Sequence, residues 1–172
     1  MSREEAVALA KAKAGYRGGV IVLGIRGYYR DSMGVVGKND RAIYDDALIV
    51  LTDNAFATFN GNTDPRIYSK GKANLKTGAW RYKKGKHKIL SPLGYPAFVQ
   101  ARPVTVIRDQ VGPDTGWFGI NIHRGGVNNT SSAGCQTLPP NQWDAFKNLV
   151  YTELDRANQK EFWYVLIDGP VK

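Results

Sequence analysis

The chain has 172 residues, 42% of them apolar, a single cysteine and a formal net charge of +9. This length supports one domain (1–172) with a sizeable core, and the composition excludes a disordered chain. One thiol excludes an intrachain disulfide framework, and the longest apolar run near the N-terminus, Gly18 to Ile25, is too short to cross a bilayer.

The first residues, Met1-Ser2-Arg3-Glu4-Glu5, lack the apolar stretch of a signal peptide. The expectation is synthesis as a soluble cytoplasmic protein, with release by another route if it acts elsewhere. Ser2 to Ala14 then reads as an amphipathic helix: Ser2 caps it, Glu5 completes a capping box and Gly15 stops it. Val20 to Arg26 is β-branched and reads as a buried strand. Tyr28 to Arg41, rich in Gly, Asp and Asn, reads as a long loop. Ala47–Thr52 and Ala55–Phe59 flank Asp53-Asn54 as a hairpin, and Asn60 to Pro65 reads as a loop by its chemistry.

Between Pro65 and Arg108 there are eleven Lys and Arg and no acidic residue, which leaves −2 for the rest of the chain. A one-sign segment of this length suits a polyanionic partner, an anionic envelope polymer or a nucleic acid; the plain alternative is a solvated basic face. Trp80 and Tyr82 alternate within it as a strand would, and they would be the stacking platforms of a nucleic-acid binder. Ser91 to Pro96 reads as irregular. Pro103 to Arg108 and Gly116 to Ile122 read as strands. Pro139-Pro140 opens a helix with Trp143, Phe146, Val150, Leu154 and Ala157 on one face, and Glu161 to Asp168 reads as a last buried strand. The fold class expected is β-rich α+β, with an N-terminal helix and a C-terminal helix followed by a final strand.

The chemistry concentrates in Ile120-Asn121-Ile122-His123-Arg124-Gly125-Gly126 and Ser131-Ser132-Ala133-Gly134-Cys135-Gln136. His123, one of two histidines, precedes the lone Cys135 by twelve positions, and the small and polar residues between them allow the two to meet. An imidazole that accepts a thiol proton makes a nucleophile, and backbone N–H groups around Gly134 and Cys135 are the expected oxyanion donors. A lone cysteine is also a common small core residue, so both readings stand at this level.

These residues resemble the active-site motif of the L,D-transpeptidase (YkuD-type) family, over about 119–137, and the whole chain looks like a phage or prophage version of that fold. The resemblance implies Cys135 as nucleophile, His123 as general base, Gly134 as the glycine before the nucleophile and Ser132 at the Ser/Thr position. Ala133 stands where the motif has a second histidine, Gln136 and Thr137 follow the cysteine where an arginine is usual, and the spacer is short. The implied activity is an endolysin-type cysteine peptidase that cuts peptidoglycan stem peptides through a thioester and acts at the cell wall. The alternatives are a transpeptidase or toxin effector that exchanges or cross-links stems, a catalytically dead wall-binding module, and a nucleic-acid binder using the 66–108 segment.

Arg124, Ala133, His87 and Trp80 are the expected substrate-binding residues. His87 sits among lysines, which should depress its pKa and favour the surface. Asn121 could orient His123. A zinc site from His87, His123 and Cys135 has suitable ligand types but no zinc-like spacing, so neither metal nor cofactor is expected. Asp45-Asp46, adjacent on a strand, would point to opposite faces and make a poor carboxylate pair for glycosidic cleavage. A monomer is the default.

Overall fold

The computed structural model describes residues 1–87 and 93–169. Its main sheet has eight strands: β1 (Ile21–Arg26), β2 (Asp46–Leu51), β3 (Phe56–Gly61), β5 (Gly78–His87), β6 (Tyr95–Gln100), β9 (Ile122–Arg124), β10 (Gln136–Leu138) and β11 (Glu161–Asp168). They lie in the order β10-β9-β6-β5-β11-β1-β2-β3. A small sheet joins β4 (Ala73–Leu75), β7 (Val104–Arg108) and β8 (Gly112–Gly116). The large sheet curls until its two edges touch. Asn62, just past β3, and Thr137 of β10 exchange backbone hydrogen bonds of 2.8 Å each.

Period-two alternation divides the core. Val22, Leu48, Val50, Phe162, Tyr164 and Leu166 face the concave side, where α2 (Pro140–Arg156) and the small sheet pack. Ile21, Leu23, Ile25, Ile49, Leu51 and Val165 face the convex side under α1 (Arg3–Ala14). Ala6 and Ala10 let that helix approach closely, and its capping box on Ser2 and Glu5 forms as expected, with Gly15 left-handed at its end. On α2, Trp143, Phe146, Val150 and Leu154 are buried as expected. Ala157 instead caps the helix and is exposed, and Glu153 is buried, accepting the Thr52 hydroxyl proton at 2.8 Å.

Three elements differ from expectation. Gly116 to Ile122 is not a strand: β8 ends at Gly116, residues 117–121 are irregular, and β9 starts at Ile122. Gly119 there has φ +67°, a left-handed conformation that breaks a strand. Second, Tyr95 and Pro96 open β6, where irregular backbone was expected; residues 91 and 92 of that stretch lie outside the described residues. Pro96 is exposed, which suits a strand end.

Third, the Asn60 to Pro65 stretch, expected as a loop, begins inside β3, which runs to Gly61. Asn62, Thr63, Asp64 and Pro65 are buried. Asp46 accepts from Gly27 N–H (2.5 Å), Thr63 N–H (2.6 Å) and the Thr63 hydroxyl (2.7 Å). Arg26 lies 3.0 Å from the Asp64 carboxylate and donates to the Thr63 and Leu75 carbonyls. These bonds replace the water that the segment loses on burial. They also consume Asp46, so Asp45 and Asp46 are buried structural carboxylates rather than a glycosidase pair.

Candidate functional site

β9 and β10 run parallel, with Gln136 opposite Ile122 and Thr137 opposite His123. The Gln136 N–H donates to the Asn121 carbonyl at 2.9 Å, which draws Cys135 alongside Asn121. Paired residues point to the same face and i, i+2 neighbours share a face, so Cys135, Asn121 and His123 face the same side. The pairing brings the segment that holds His123 alongside the one that starts from Cys135.

Cys135 Sγ donates to the Gly119 carbonyl at 3.4 Å and accepts the Asn121 N–H, also at 3.4 Å. No hydrogen bond joins it to His123 among the described residues. Burial pushes the thiol up to about 11, partly offset by the Asn121 N–H. The resting group is a thiol.

His123 is buried. Its Nδ1 lies 2.7 Å from the Arg124 carbonyl oxygen. A carbonyl can only accept, so Nδ1 carries the proton and Nε2 keeps its lone pair for base chemistry. Tyr95 braces this arrangement: its hydroxyl oxygen is 3.3 Å from Nδ1 and 3.4 Å from the same carbonyl. Burial, then the neighbouring His87, lower His123 to about 4. At neutral pH the pair is thiol and neutral imidazole, the starting state for general-base activation rather than a preformed ion pair.

The loop before Cys135 is internally bound. The Ser132 hydroxyl donates to the Cys135 carbonyl at 2.6 Å and accepts the Gly134 N–H at 3.1 Å. Gly134 is required twice. Its φ is +144°, and an added Cβ would lie 2.5 Å from the Ala73 carbonyl oxygen of β4. Because Ser132 occupies the Gly134 N–H, the expected pair of oxyanion donors reduces to the Cys135 N–H, which makes no hydrogen bond among the described residues. Ala133 is exposed at the loop's crest, and exposed Arg124 lies over the Tyr95 ring at 5.4 Å.

His87 is not a free surface residue. It stacks on His123, and its Nδ1 is 3.0 Å from the Asn121 amide nitrogen. Burial lowers its pKa, not the flanking lysines. Asn121 thus holds His87 and not, as expected, His123. Among the described residues no three His, Cys, Asp or Glu side chains gather as a metal site.

Trp80 stands seven residues before His87 on β5, about 23 Å along a strand, and donates to the Lys76 carbonyl at 2.8 Å while packing on the core. It is not beside the imidazole stack. Tyr82 is fully buried, its hydroxyl donating to the Ile120 carbonyl at 2.7 Å, so it cannot stack a base. Of the basic segment, Arg81 and Arg102 pair with Glu161, Lys84 with Asp155 and Arg108 with Asp114. Arg66, Lys70, Lys72, Lys76, Lys83 and Lys86 make no ion pair among the described residues, and Lys88 lies outside them. Tertiary acids therefore divide one basic run into separate patches.

Sequence reasoning missed Tyr95, whose only signal is an aromatic residue beside Pro96. It also missed Tyr44, which donates to the Gly126 carbonyl at 2.7 Å and supports the loop from below. Gln136 was seen only as a departure. It is buried, accepts the Tyr164 hydroxyl at 2.8 Å and donates to the Gly134 carbonyl at 3.2 Å, tying the nucleophile loop to β11.

No protein-family profile, no curated protein and no solved structure matches this chain. Among the described residues no helix is long and apolar enough to cross a membrane.

Proposed function

We propose that residues 1–172 form an L,D-transpeptidase-like catalytic domain that works as a cysteine peptidase on peptidoglycan stem peptides. The observation that carries the reading is the parallel β9–β10 register, which sets Cys135 and His123 on one face with the His123 Nδ1 proton committed to the Arg124 carbonyl. His123 Nε2 takes the thiol proton as Sγ attacks an amide carbonyl carbon. The Cys135 N–H faces the resulting oxyanion. The tetrahedral adduct collapses, the C–N bond breaks, and the leaving amine takes the proton from His123. A thioester remains. Water, deprotonated by the same imidazole, hydrolyses it and restores the thiol.

The unpaired cations of the 66–108 segment would hold the enzyme to anionic wall polymers in a salt-dependent way. Action at the wall after release from the host cytoplasm, as a phage endolysin, belongs to the same proposal. The test is mass spectrometry of purified peptidoglycan after incubation with wild type and with Cys135→Ala. New peptide termini made only by wild type support the reading. Recombined or amino-acid-exchanged stems would transfer it to transpeptidation. An unchanged wall in both samples would remove it.

A further inference from the structure

Beside the nucleophile loop lies a groove of about 250 Å³, lined by Arg66, Ile67, Lys72, Asn129, Ser131 and Ala133. Both of its cations are tethered to that loop through the backbone. The Arg66 N–H donates to the Ser132 carbonyl at 2.8 Å. Lys72 immediately precedes Ala73, whose carbonyl oxygen would lie 2.5 Å from a Cβ added at Gly134. Neither side chain has an ion-pair or hydrogen-bond partner among the described residues. Asp109, whose N–H donates to the Lys72 carbonyl at 2.9 Å, is held by Arg41 at 2.6 and 2.9 Å. The rest of the cleft wall mixes the exposed apolar side chains of Ile67 and Ala133 with the polar ones of Asn129, Ser131 and Ser132.

Two uncommitted cations beside the loop that ends in Cys135, in a wall that also offers the polar side chains of Asn129 and Ser131, form a receptor for a carboxylate on a small organic group. The guanidinium fork of Arg66 matches a carboxylate in shape, and Lys72 adds a point charge. The groove is smaller than pockets for drug-sized ligands, which start at about 300 Å³, so it suits one residue-sized group.

We propose that the Arg66–Lys72 groove is a carboxylate subsite that fixes the substrate peptide while its amide carbonyl reaches Cys135. This rests on reading Cys135 as the acylating nucleophile, and it makes the enzyme selective for amide bonds close to a free carboxylate. Either the terminal α-carboxylate or an acidic side chain of the stem can supply the anion.

Two measurements test it, and they fail independently. The first compares wild type with Arg66→Gln/Lys72→Gln on three synthetic stem peptides: the free acid, its C-terminal amide, and a form amidated on the side-chain carboxylates. The expected result is a KM about tenfold higher in the variant with kcat nearly unchanged, the difference disappearing for whichever amidated peptide has lost the bound carboxylate. Equal kinetics in both proteins overturns the subsite. The second needs no peptidase activity: alkylation of Cys135 by iodoacetate and by iodoacetamide. The ratio of the anionic to the neutral rate should fall about tenfold in the variant, while the iodoacetamide rate, which reports an intact loop, stays constant. An unchanged ratio overturns the subsite. If wild type cleaves no stem peptide, the peptidase reading fails and this ratio alone decides the groove.

Discussion

The His87 imidazole lies face to face on that of His123, with centroids 3.7 Å apart and ring planes within 10°. The two rings come from strands 36 positions apart in sequence, and the Asn121 amide anchors the outer one at 3.0 Å. A stacked neighbour removes water from one face of the base, and two positive imidazoles at this distance repel. Both effects favour neutral His123. Replacing His87 with Ala should move the His123 titration up from about 4 toward the ordinary value of 6.5. NMR titration of the ring protons reads this without substrate. In a rate profile the variant should lose activity between pH 4 and 6.5, where wild type keeps it, and match wild type near pH 8. A coincident acid limb in the two proteins would contradict this role.

The same depression predicts a stability change. Folded His123 takes up its proton near 4, whereas the unfolded residue does so near 6.5, so acid favours the unfolded chain across that interval. The loss amounts to about 3 kcal/mol by pH 4. Asp45 and Asp46 act in the opposite sense, because burial raises them to about 6 and 7. The comparison is therefore made against His123→Phe, which lacks the proton site. Urea unfolding at pH 7 and pH 4 should show wild type losing about 3 kcal/mol more than the variant over that range.

Cys135 should be slow to alkylate. Its thiol is pushed up to about 11, so the thiolate fraction at pH 7 falls far below that of a free cysteine. The iodoacetamide rate should continue to climb above pH 9, where an ordinary thiol is levelling off. A plateau near pH 7 would instead show a thiolate stabilised in the resting enzyme.

Gly134→Ala tests the nucleophile loop. The substitution puts a Cβ against the Ala73 carbonyl and requires φ near +144° of a residue that resists it. Backbone strain of this kind costs about 1–3 kcal/mol. Displacement of Sγ by about an ångström is enough to lower turnover about 100-fold. Thermal unfolding and steady-state cleavage measured on one preparation separate the two effects: a modest loss of stability with a large loss of turnover is expected.

Much of the fold is legible in local pattern. The capping box of α1, the β1 run, the β2–β3 hairpin, the buried face of α2 and the final strand each follow from residues within one element. Elements bounded by backbone conformation are not. Gly119 breaks a run of aromatic and β-branched residues, and Pro96 is accommodated at the exposed start of a strand. The burial of Asn62 to Asp64 is invisible in a polar loop sequence, since two partners that satisfy it, the donor Arg26 and the acceptor Asp46, come from β1 and β2.

The sequence by itself supplied the thiol of Cys135, the imidazole of His123 and the small residues between them. Glycine at 134 supplies the backbone conformation that the turn before Cys135 requires. Tertiary structure decided their protonation and their company. The parallel pairing of β9 with β10 set the two segments side by side, and β5 brought His87 onto the His123 ring. Burial left the pair neutral, because the energy of a charge depends on the dielectric around it, which chain order does not encode. Charge followed the same rule. Glu161, Asp155 and Asp114 neutralise part of a basic run from outside it or from its far edge, and leave Arg66 and Lys72 unpaired next to the nucleophile loop.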